Sequence, residues 1–291
     1  MEIKIVSCNL CGGNNFEPFI KRKEAPLSKC QNCGLIFVNP QPSEKDLNKI
    51  YQKEYFKGNK QQKKSISYGD YLNQKSAHIK YFNQKIAQIK KIKKKGKILD
   101  IGCALGFFLE VAKKAGYKVC GTDISKFAVD YVKKNLKLDV RSGQLEKLKL
   151  KSNSFDIVTL FSMFEHIKDP KKLLEETRRI LKPKGILLLT TPDGSSFWAK
   201  VLGRYWWGYN HKTHLFIFNK KTIRDIFKKI GFTKINIEKD TPIYVSIKDI
   251  LIKLKFSHGW HFADKIIFIL GPVSKWNFIP FPAMMSVRAF K

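Results

Sequence analysis

A glycine-rich turn with acidic residues on both sides has the residue types of a nucleoside-binding site. A short β-rich run containing Asp100 leads into Gly102 and Gly106, which bracket a turn that lets a ligand approach the backbone closely. Helical spacing and a second β-rich run follow, and Asp123 stands at the carboxyl end of that run. Open α/β sheets place the group that binds a ribose at this position. The stretch 97–123 therefore predicts a nucleoside half-site.

The spacing of the glycines narrows the class of nucleoside. A dinucleotide site needs a third glycine where this chain has Phe107, and no Gly-Lys-Ser/Thr follows the turn as in a nucleotide triphosphate loop. The remaining pattern, D-x-G-x-x-x-G with an acid after the next strand, resembles motif I of the class I S-adenosylmethionine (SAM)-dependent methyltransferases. Ala104 replaces the usual middle glycine of that motif. The resemblance implies SAM as the cofactor.

A later loop extends the resemblance. After a third predicted strand over 138–141, Gly143, Gln144, Leu145 and Glu146 fall where that family holds the adenine edge, with Gln144 in place of the customary acid. A fourth predicted strand ends at 161. The resemblance implies a cofactor pocket made of Asp100, Gly102, Cys103, Ala104, Gly106, Asp123, Ile124, Gln144, Leu145 and Phe161.

The segment after the fourth strand is similar to the ubiquinone-type O-methyltransferase branch, methyltransferase domain 23-like. The shared motifs are L-E-H-x-x-D-P, matched from Phe164 to Pro170, and R-x-L-K-P-G-G, matched from Arg179 to Gly185. Ser162 stands where ubiquinone-type members have a Glu that helps to bind a divalent ion. This difference argues against a metal site at Glu165 and His166.

Three histidines are candidates for the base that takes a proton from an acceptor hydroxyl. His166 follows the fourth strand, and His211 and His214 lie in an aromatic loop after the fifth strand, where acceptor pockets form over the sheet edge. Each of them could instead hold its loop by hydrogen bonds, and Trp206 could pack within the loop or stack on an acceptor. The Asn-Pro-Pro-Tyr motif of exocyclic-amine methyltransferases is absent.

The six cysteines indicate a metal site and not disulfides. Four of them form two C-x-x-C-G motifs, Cys8 with Cys11 and Cys30 with Cys33. This spacing supplies four thiolates for a tetrahedral structural Zn²⁺, which would stabilise a segment too short to fold on a core of its own. Cys103 and Cys120 are expected to be packing residues.

The composition of the chain indicates which class of acceptor to expect. The chain has 291 residues, 43% of them hydrophobic, and a net charge of +32. Only seven of its 56 basic residues are Arg, so the excess is Lys spread along the chain, as a compositional bias would produce. We therefore expect a small-molecule acceptor, with O-methylation in polysaccharide, quinone or secondary-metabolite biosynthesis. The alternatives are an rRNA or tRNA methyltransferase that uses the zinc ribbon and basic surface, and a non-catalytic scaffold.

The expected fold class is α/β. It consists of a Rossmann-like seven-stranded class I methyltransferase sheet with helices on both faces and a small N-terminal zinc ribbon. The predicted divisions are a zinc-ribbon module at 1–40, a connector with leading helices at 41–95 and the SAM-binding domain at 96–291. An apolar insertion at about 241–283 alternates lysines with large apolar residues and could contact a membrane peripherally. Without a signal core or a long apolar run, the expected location is cytoplasmic, with the inner membrane face as an alternative. The sequence does not predict the oligomeric state.

Overall fold

The computed structural model describes residues 3–21, 25–44, 46–47, 56, 71–72, 74–210, 213–241, 243–246, 263–271, 273, 277–281 and 283–291. A mixed seven-stranded sheet forms its centre. In chain order its strands are β6 (Lys97–Ile101), β7 (Lys118–Asp123), β8 (Val140–Ser142), β9 (Phe155–Phe161), β10 (Leu181–Pro192), β12 (Thr233–Lys239) and β15 (Met284–Phe290). Their spatial order is β12-β15-β10-β9-β6-β7-β8.

The first five strands of this sheet are parallel, and β15 runs antiparallel between β10 and β12. This arrangement confirms the expected class I methyltransferase sheet. The strand order reverses between β6 and β9, and ligands of open α/β sheets bind at the carboxyl ends of the strands at such a switch point. The glycine turn follows β6 directly, so the fold puts it at that edge.

Helices cover both faces of the sheet. The α-helices of the described residues are α1 (Lys75–Ile92), α2 (Phe107–Lys114), α3 (Lys126–Tyr131), α4 (Pro170–Ile180), α5 (Phe197–Leu202), α6 (Trp207–Asn210), α7 (Lys220–Ile230) and α8 (Ala263–Leu270), of which α8 lies in the insertion and belongs to neither core cluster. Ser125 caps α3, accepting from the Ala128 amide. The helix continues as a π-helical segment, Val132–Leu136, and β8 begins two residues later than predicted.

Two apolar clusters pack against the central sheet. One contains buried residues of α1, α2 and α3 together with the turn, and the other contains residues of α4 and α7 together with the N-terminal segment. The helices pack in this way because they are amphipathic. In α7, for example, Ile223, Ile226 and Phe227 lie on one face and are at most 1% exposed. Burial of each such side chain contributes about 1.5–3 kcal/mol. Asn219 and Thr222 form a capping box at its start.

The N-terminal segment forms a second sheet that includes a strand from much later in the chain. The segment contributes β2 (Phe16–Ile20), β3 (Leu27–Cys30) and β4 (Ile36–Val38) to this sheet, while its strands β1 (Ile3–Lys4) and β5 (Gln41–Pro42) pair with each other in a separate two-stranded sheet. The sheet has the order β11-β4-β3-β2, and β11 (Phe216–Ile217) belongs to the aromatic loop after β10. The segment is therefore joined to the central domain by backbone hydrogen bonds.

The insertion after β12 is described only in part. Its strands β13 (Ile243–Ser246) and β14 (Asn277–Phe281) pair antiparallel. At its base, the buried Lys85 ammonium of α1 forms an ion pair with Asp240, which also accepts from the Tyr81 hydroxyl at 2.7 Å. None of the helices in the described residues combines the length and hydrophobicity needed to span a bilayer. Much of the predicted connector at 41–95 lies outside the described residues.

Candidate functional site

The turn after β6 has the backbone of a ligand-binding loop. Gly102 and Gly106 have φ of +73° and +75°, in the left-handed region that favours glycine. Ala104 also has a positive φ, +46°. This position therefore has a backbone conformation that favours the glycine usual in the family, and Ala104 adopts it with strain. The amides of Gly102 and Cys103 both donate to the Thr122 carbonyl of β7, which holds the turn against the next strand.

Asp123 braces the turn and the start of α3 from the end of β7. One of its carboxylate oxygens, Oδ2, accepts from the Ala104 amide at 2.9 Å, and the other, Oδ1, accepts from the Ser125 amide at 2.8 Å. Each oxygen keeps a second lone pair for a ribose hydroxyl. Burial raises the pKa of Asp123, and these amides oppose the rise. The predicted ribose-binding residue therefore also fixes the shape of the turn.

Asp100 lies deep under the turn. It is 4% exposed, and its Oδ1 accepts from the Thr159 hydroxyl of β9 at 2.6 Å. Burial raises its pKa to about 7, the Thr159 bond opposes the rise, and the nearby negative charge of Asp123 adds to it. Two acids in one partly dry pocket favour a cationic ligand. Thr159 was not predicted, because its contact with Asp100 crosses between strands.

The predicted adenine side lies in the loop after β8. The Gly143 amide donates to the Asp123 carbonyl at 2.9 Å, and Leu145 is buried. The Gln144 amide donates to the Glu44 carboxylate at 2.7 Å, which leaves the Gln144 amide oxygen to accept from an adenine amino group. Glu44 was not among the predicted residues. Beside the turn, Ile124 is 40% exposed.

The end of β9 forms the floor between the turn and the next segment. The Phe161 ring packs edge to face on Phe108 of α2, with centroids 4.8 Å apart. Met163 lies directly over Gly102, where a Cβ atom would come within 2.6 Å of the Met163 Cγ atom. The Cys103 thiol is buried, and burial raises its pKa well above the usual value, so it is a packing group as predicted. The chain thus passes from the cofactor turn straight into the Glu-His motif.

Glu165, His166 and His214 form a compact group, called here the histidine cluster. One ligand atom from each lies within 4.8 Å of the others. The Nδ1 atom of His166 is 2.9 Å from the Thr213 carbonyl, and that of His214 is 3.0 Å from the Gly208 carbonyl. Because carbonyls only accept, both Nδ1 atoms carry hydrogen, and neutral rings then have their lone pair on Nε2.

Glu165 anchors this cluster to the sheet. It is 2% exposed and accepts from the Thr191 hydroxyl of β10 at 3.0 Å, and burial raises its pKa to about 7. Its Oε1 lies 3.8 Å from His166 Nε2. His214 gives the cluster a third potential metal ligand in place of the missing Glu at Ser162. The group could accept a proton or hold a cation.

Trp206 and Tyr209 of the aromatic loop pack inward. Trp206 is fully buried and packs edge to face on Tyr209, with centroids 4.8 Å apart. Core packing therefore accounts for Trp206. His211, predicted as a candidate base, lies outside the described residues.

The four N-terminal cysteines converge as their spacing predicts. The Cys8 and Cys33 sulfurs are 3.5 Å apart, as are those of Cys11 and Cys30, and all four lie within 4.8 Å of one another. A tetrahedral zinc with Zn–S bonds of about 2.3 Å requires sulfurs about 3.8 Å apart. Burial raises the pKa of Cys8 to about 11 and also raises that of Cys33, so a cation is needed to hold both as thiolates. The donor set fits zinc.

The two cysteine motifs have the same backbone. In each, the glycine after the second cysteine has a positive φ, and its amide donates to the carbonyl of the first cysteine. These glycines are Gly12 and Gly34, with φ of +80° and +78°. Such paired tight turns present both sulfurs of a motif to one ion. Glycine at these positions is thus explained by the turn geometry.

The comparisons with known proteins agree with this fold and turn. Residues 65–237, more than half of the chain, match a family model described as a methyltransferase domain. The chain therefore belongs to the methyltransferase-domain family. A SAM-dependent methyltransferase from Archaeoglobus fulgidus has a similar fold, with a TM-score of 0.52 and 21% identity over 76% of this chain and 99% of that one. Another, from Thermotoga maritima, has a TM-score of 0.52 and 19% identity over 76% and 95%.

A curated relative resembles part of the chain more specifically. The ubiquinone biosynthesis O-methyltransferase of Actinobacillus pleuropneumoniae is 31% identical over 105 residues, which are 33% of this chain and 45% of the relative. The chain thus spans less than half the length of this relative. The resemblance to class I SAM-dependent methyltransferases of the ubiquinone type is confirmed.

Proposed function

We propose that this protein is a SAM-dependent methyltransferase that transfers a methyl group to a hydroxyl of a small-molecule acceptor. The observation that carries the proposal is the pair of acids at the turn. Asp123 holds the turn through the Ala104 and Ser125 amides, and Asp100 lies buried beneath it. A ligand with a positive sulfonium and ammonium group matches this pair, whereas a phosphate would be repelled.

SAM supplies the methyl group as an electrophile on sulfur. Within the pocket, Asp123 would accept the ribose hydroxyls, and Gln144 with Leu145 would face the adenine. Gly102, Gly106 and the intervening residues would let the backbone approach the methionine part. Positioning in a site closed to water supplies most of the rate enhancement that such a transfer needs.

His166 is the better of the two described candidates for the base. Its side chain is 8% exposed, and its Nε2 atom has the lone pair when the ring is neutral. When bound, SAM would supply an electrophilic methyl group and would leave as the neutral thioether, and His166 Nε2 would take the proton from the acceptor hydroxyl. His214 is 2% exposed and donates to the Gly208 carbonyl, which suits a residue that orients the loop. His211 remains a candidate.

We further propose that Cys8, Cys11, Cys30 and Cys33 bind one structural zinc ion.

A membrane contact through the insertion at 241–283 stays a prediction, and so does the cytoplasmic location. The strip of exposed apolar residues Phe197 and Val201 on α5 lies in the acceptor-side loop and suits an acceptor with an apolar part.

The proposal is tested with methyl-labelled SAM and a cell extract, which is then separated into small-molecule and RNA fractions for mass spectrometry of the products. We expect label on a hydroxyl of a small molecule, and we expect His166→Gln to abolish its transfer while SAM affinity stays within about twofold. His78→Gln on α1 is the matched control and should leave transfer intact. Label in the RNA fraction instead would favour the nucleic-acid alternative.

A further inference from the structure

The strand that completes the N-terminal sheet, β11, comes from the aromatic loop after β10, on the predicted acceptor side of the site. β4 begins shortly after the second cysteine motif, and β11 pairs with it so that Phe216 lies opposite Phe37. The Val38 amide also donates to the Leu215 carbonyl at 2.8 Å. Both phenylalanines are buried, and their rings stack with centroids 6.4 Å apart. The cysteine motif and the loop are therefore parts of one hydrogen-bonded and packed unit.

The same loop segment makes the contacts that arrange the histidine cluster. The Leu215 amide donates to the Glu165 carbonyl at 2.8 Å, and the Thr213 carbonyl receives the His166 Nδ1 hydrogen at 2.9 Å. His214 lies between these two anchor residues and supplies its own imidazole to the cluster. A displacement of 213–217 would consequently move His214 and remove the group that orients His166.

The first cysteine motif is attached to the central domain at another point. Its Asn9 side chain donates to Asp169 at the start of α4 at 3.1 Å, and the Leu10 carbonyl accepts from Lys229 of α7 at 3.0 Å. The second motif leads into β4. One ion that joins the two motifs would thus link α4 and α7 to β4, the strand that pairs with β11 of the loop.

The cofactor turn depends on a different set of contacts. Its apolar residues Cys103 and Leu105, with Phe107 at the start of α2, belong to the cluster with α1, α2 and α3. Cys8, Cys30, Phe37, Phe164 and Phe216 share the other cluster.

We propose that the four-cysteine module is a positioning element for the acceptor side of the active site. Zinc in the module holds β4 against β11, and β11 keeps His166 and His214 in place, while the SAM turn does not depend on the ion. The catalytic consequence rests on the proposed function, but the structural coupling does not. The module therefore has a role in the reaction beyond the stability of the N-terminal segment.

The test compares Cys33→Ser with Cys120→Ser in the full-length protein. Both replace a thiol by a hydroxyl, but Cys120 lies in β7 and is not one of the four clustered cysteines, so it controls for general destabilisation. The measurements are zinc content, hydrogen exchange of the 213–218 and 97–101 segments, and SAM affinity by calorimetry. For Cys33→Ser we expect zinc loss, exchange of 213–218 faster by about tenfold or more, and SAM affinity within about twofold.

If Cys33→Ser does not fold, zinc is removed from the folded native protein with a chelator and then restored. Faster exchange of 213–218 that reverses on addition of zinc supports the proposal. Unchanged exchange of 213–218 after zinc loss overturns it, and so does a parallel loss of protection at 97–101 and of SAM affinity. Because these measurements need no acceptor, the coupling can fail or hold independently of the methyltransferase activity.

Discussion

The affinity of the protein for SAM should rise with pH because of Asp100. Its carboxyl is buried under the turn, and burial raises its pKa to about 7 in the ligand-free protein. SAM is a cation, so it binds better when this carboxyl is ionised, and binding releases a proton below that pKa. The expected perturbation is thus a loss of affinity on acidification.

The expected change in SAM affinity follows from the fraction of Asp100 carboxyls that are ionised at each pH. For a pKa of about 7, roughly one thirtieth of the Asp100 carboxyls are ionised at about pH 5.5 and about half at about pH 7. If only the ionised form binds SAM well, affinity should rise about fifteenfold across this interval. The interval ends below the range in which an α-amino group, such as that of SAM, begins to lose its own proton.

Calorimetry over this pH interval provides the assay. Repeating each titration in buffers of different ionisation enthalpy counts the protons released. Asp100→Asn keeps the shape of the side chain and an oxygen that can accept from Thr159, so it should bind SAM more weakly but with little pH dependence. The reasoning is refuted if native SAM affinity is constant from about pH 5.5 to about pH 7, or if the variant has the same dependence as the native protein.

Further predictions concern stability and metal content. Ala104→Gly should raise the free energy of unfolding by about 0.5–1 kcal/mol. The left-handed conformation costs alanine about 1–2 kcal/mol, and relief of this strain exceeds the entropy that glycine adds to the unfolded chain. Denaturant titration checks this, with Ala104→Val as a variant that should be destabilised. Lys85→Met should cost about 3–5 kcal/mol by leaving Asp240 buried without its cation, and adding Asp240→Asn should recover most of the loss in the same titration. In the ligand-free protein the free energy of unfolding should fall as pH rises from about 4 through about 7, because folded Asp100 and Glu165 each keep a proton that the unfolded chain releases, and Asp100→Asn should remove about half of that slope. Native mass spectrometry should find a single zinc ion per chain, and a second bound metal would contradict the proton-accepting role of the histidine cluster.

Local patterns in the sequence predict much of the fold. Short apolar runs alternate with amphipathic segments, and this alternation predicts parallel strands with helices between them. The seven-stranded form of the sheet was expected from the resemblance to the methyltransferase family. The Ser125 cap and the two C-x-x-C-G motifs are equally local, since each depends on residues within a few positions of one another. Asp123 is predictable for the same reason, because it follows a strand at a characteristic distance from the turn.

Long-range pairs explain what the sequence does not predict. Nothing near Phe216 indicates that it will pair with β4, and nothing near Glu44 indicates a contact with Gln144. His214 was a candidate from its loop, but its approach to Glu165 depends on how that loop is held. Such contacts come from the packing of distant segments, which has no periodic or spacing signal in the chain.

The central claim, that the turn and Asp123 bind SAM, is tested most directly by calorimetry with SAM on three proteins. The account predicts saturable binding at one site per chain, and a loss of affinity of about 30-fold or more in Asp123→Ala, because charge-assisted hydrogen bonds contribute about 1.5–3 kcal/mol each and the turn loses its brace. Asp130→Ala, which removes an exposed acid from α3, should bind SAM like the native protein. No binding by the native protein, or equal affinity in Asp123→Ala, would contradict the account.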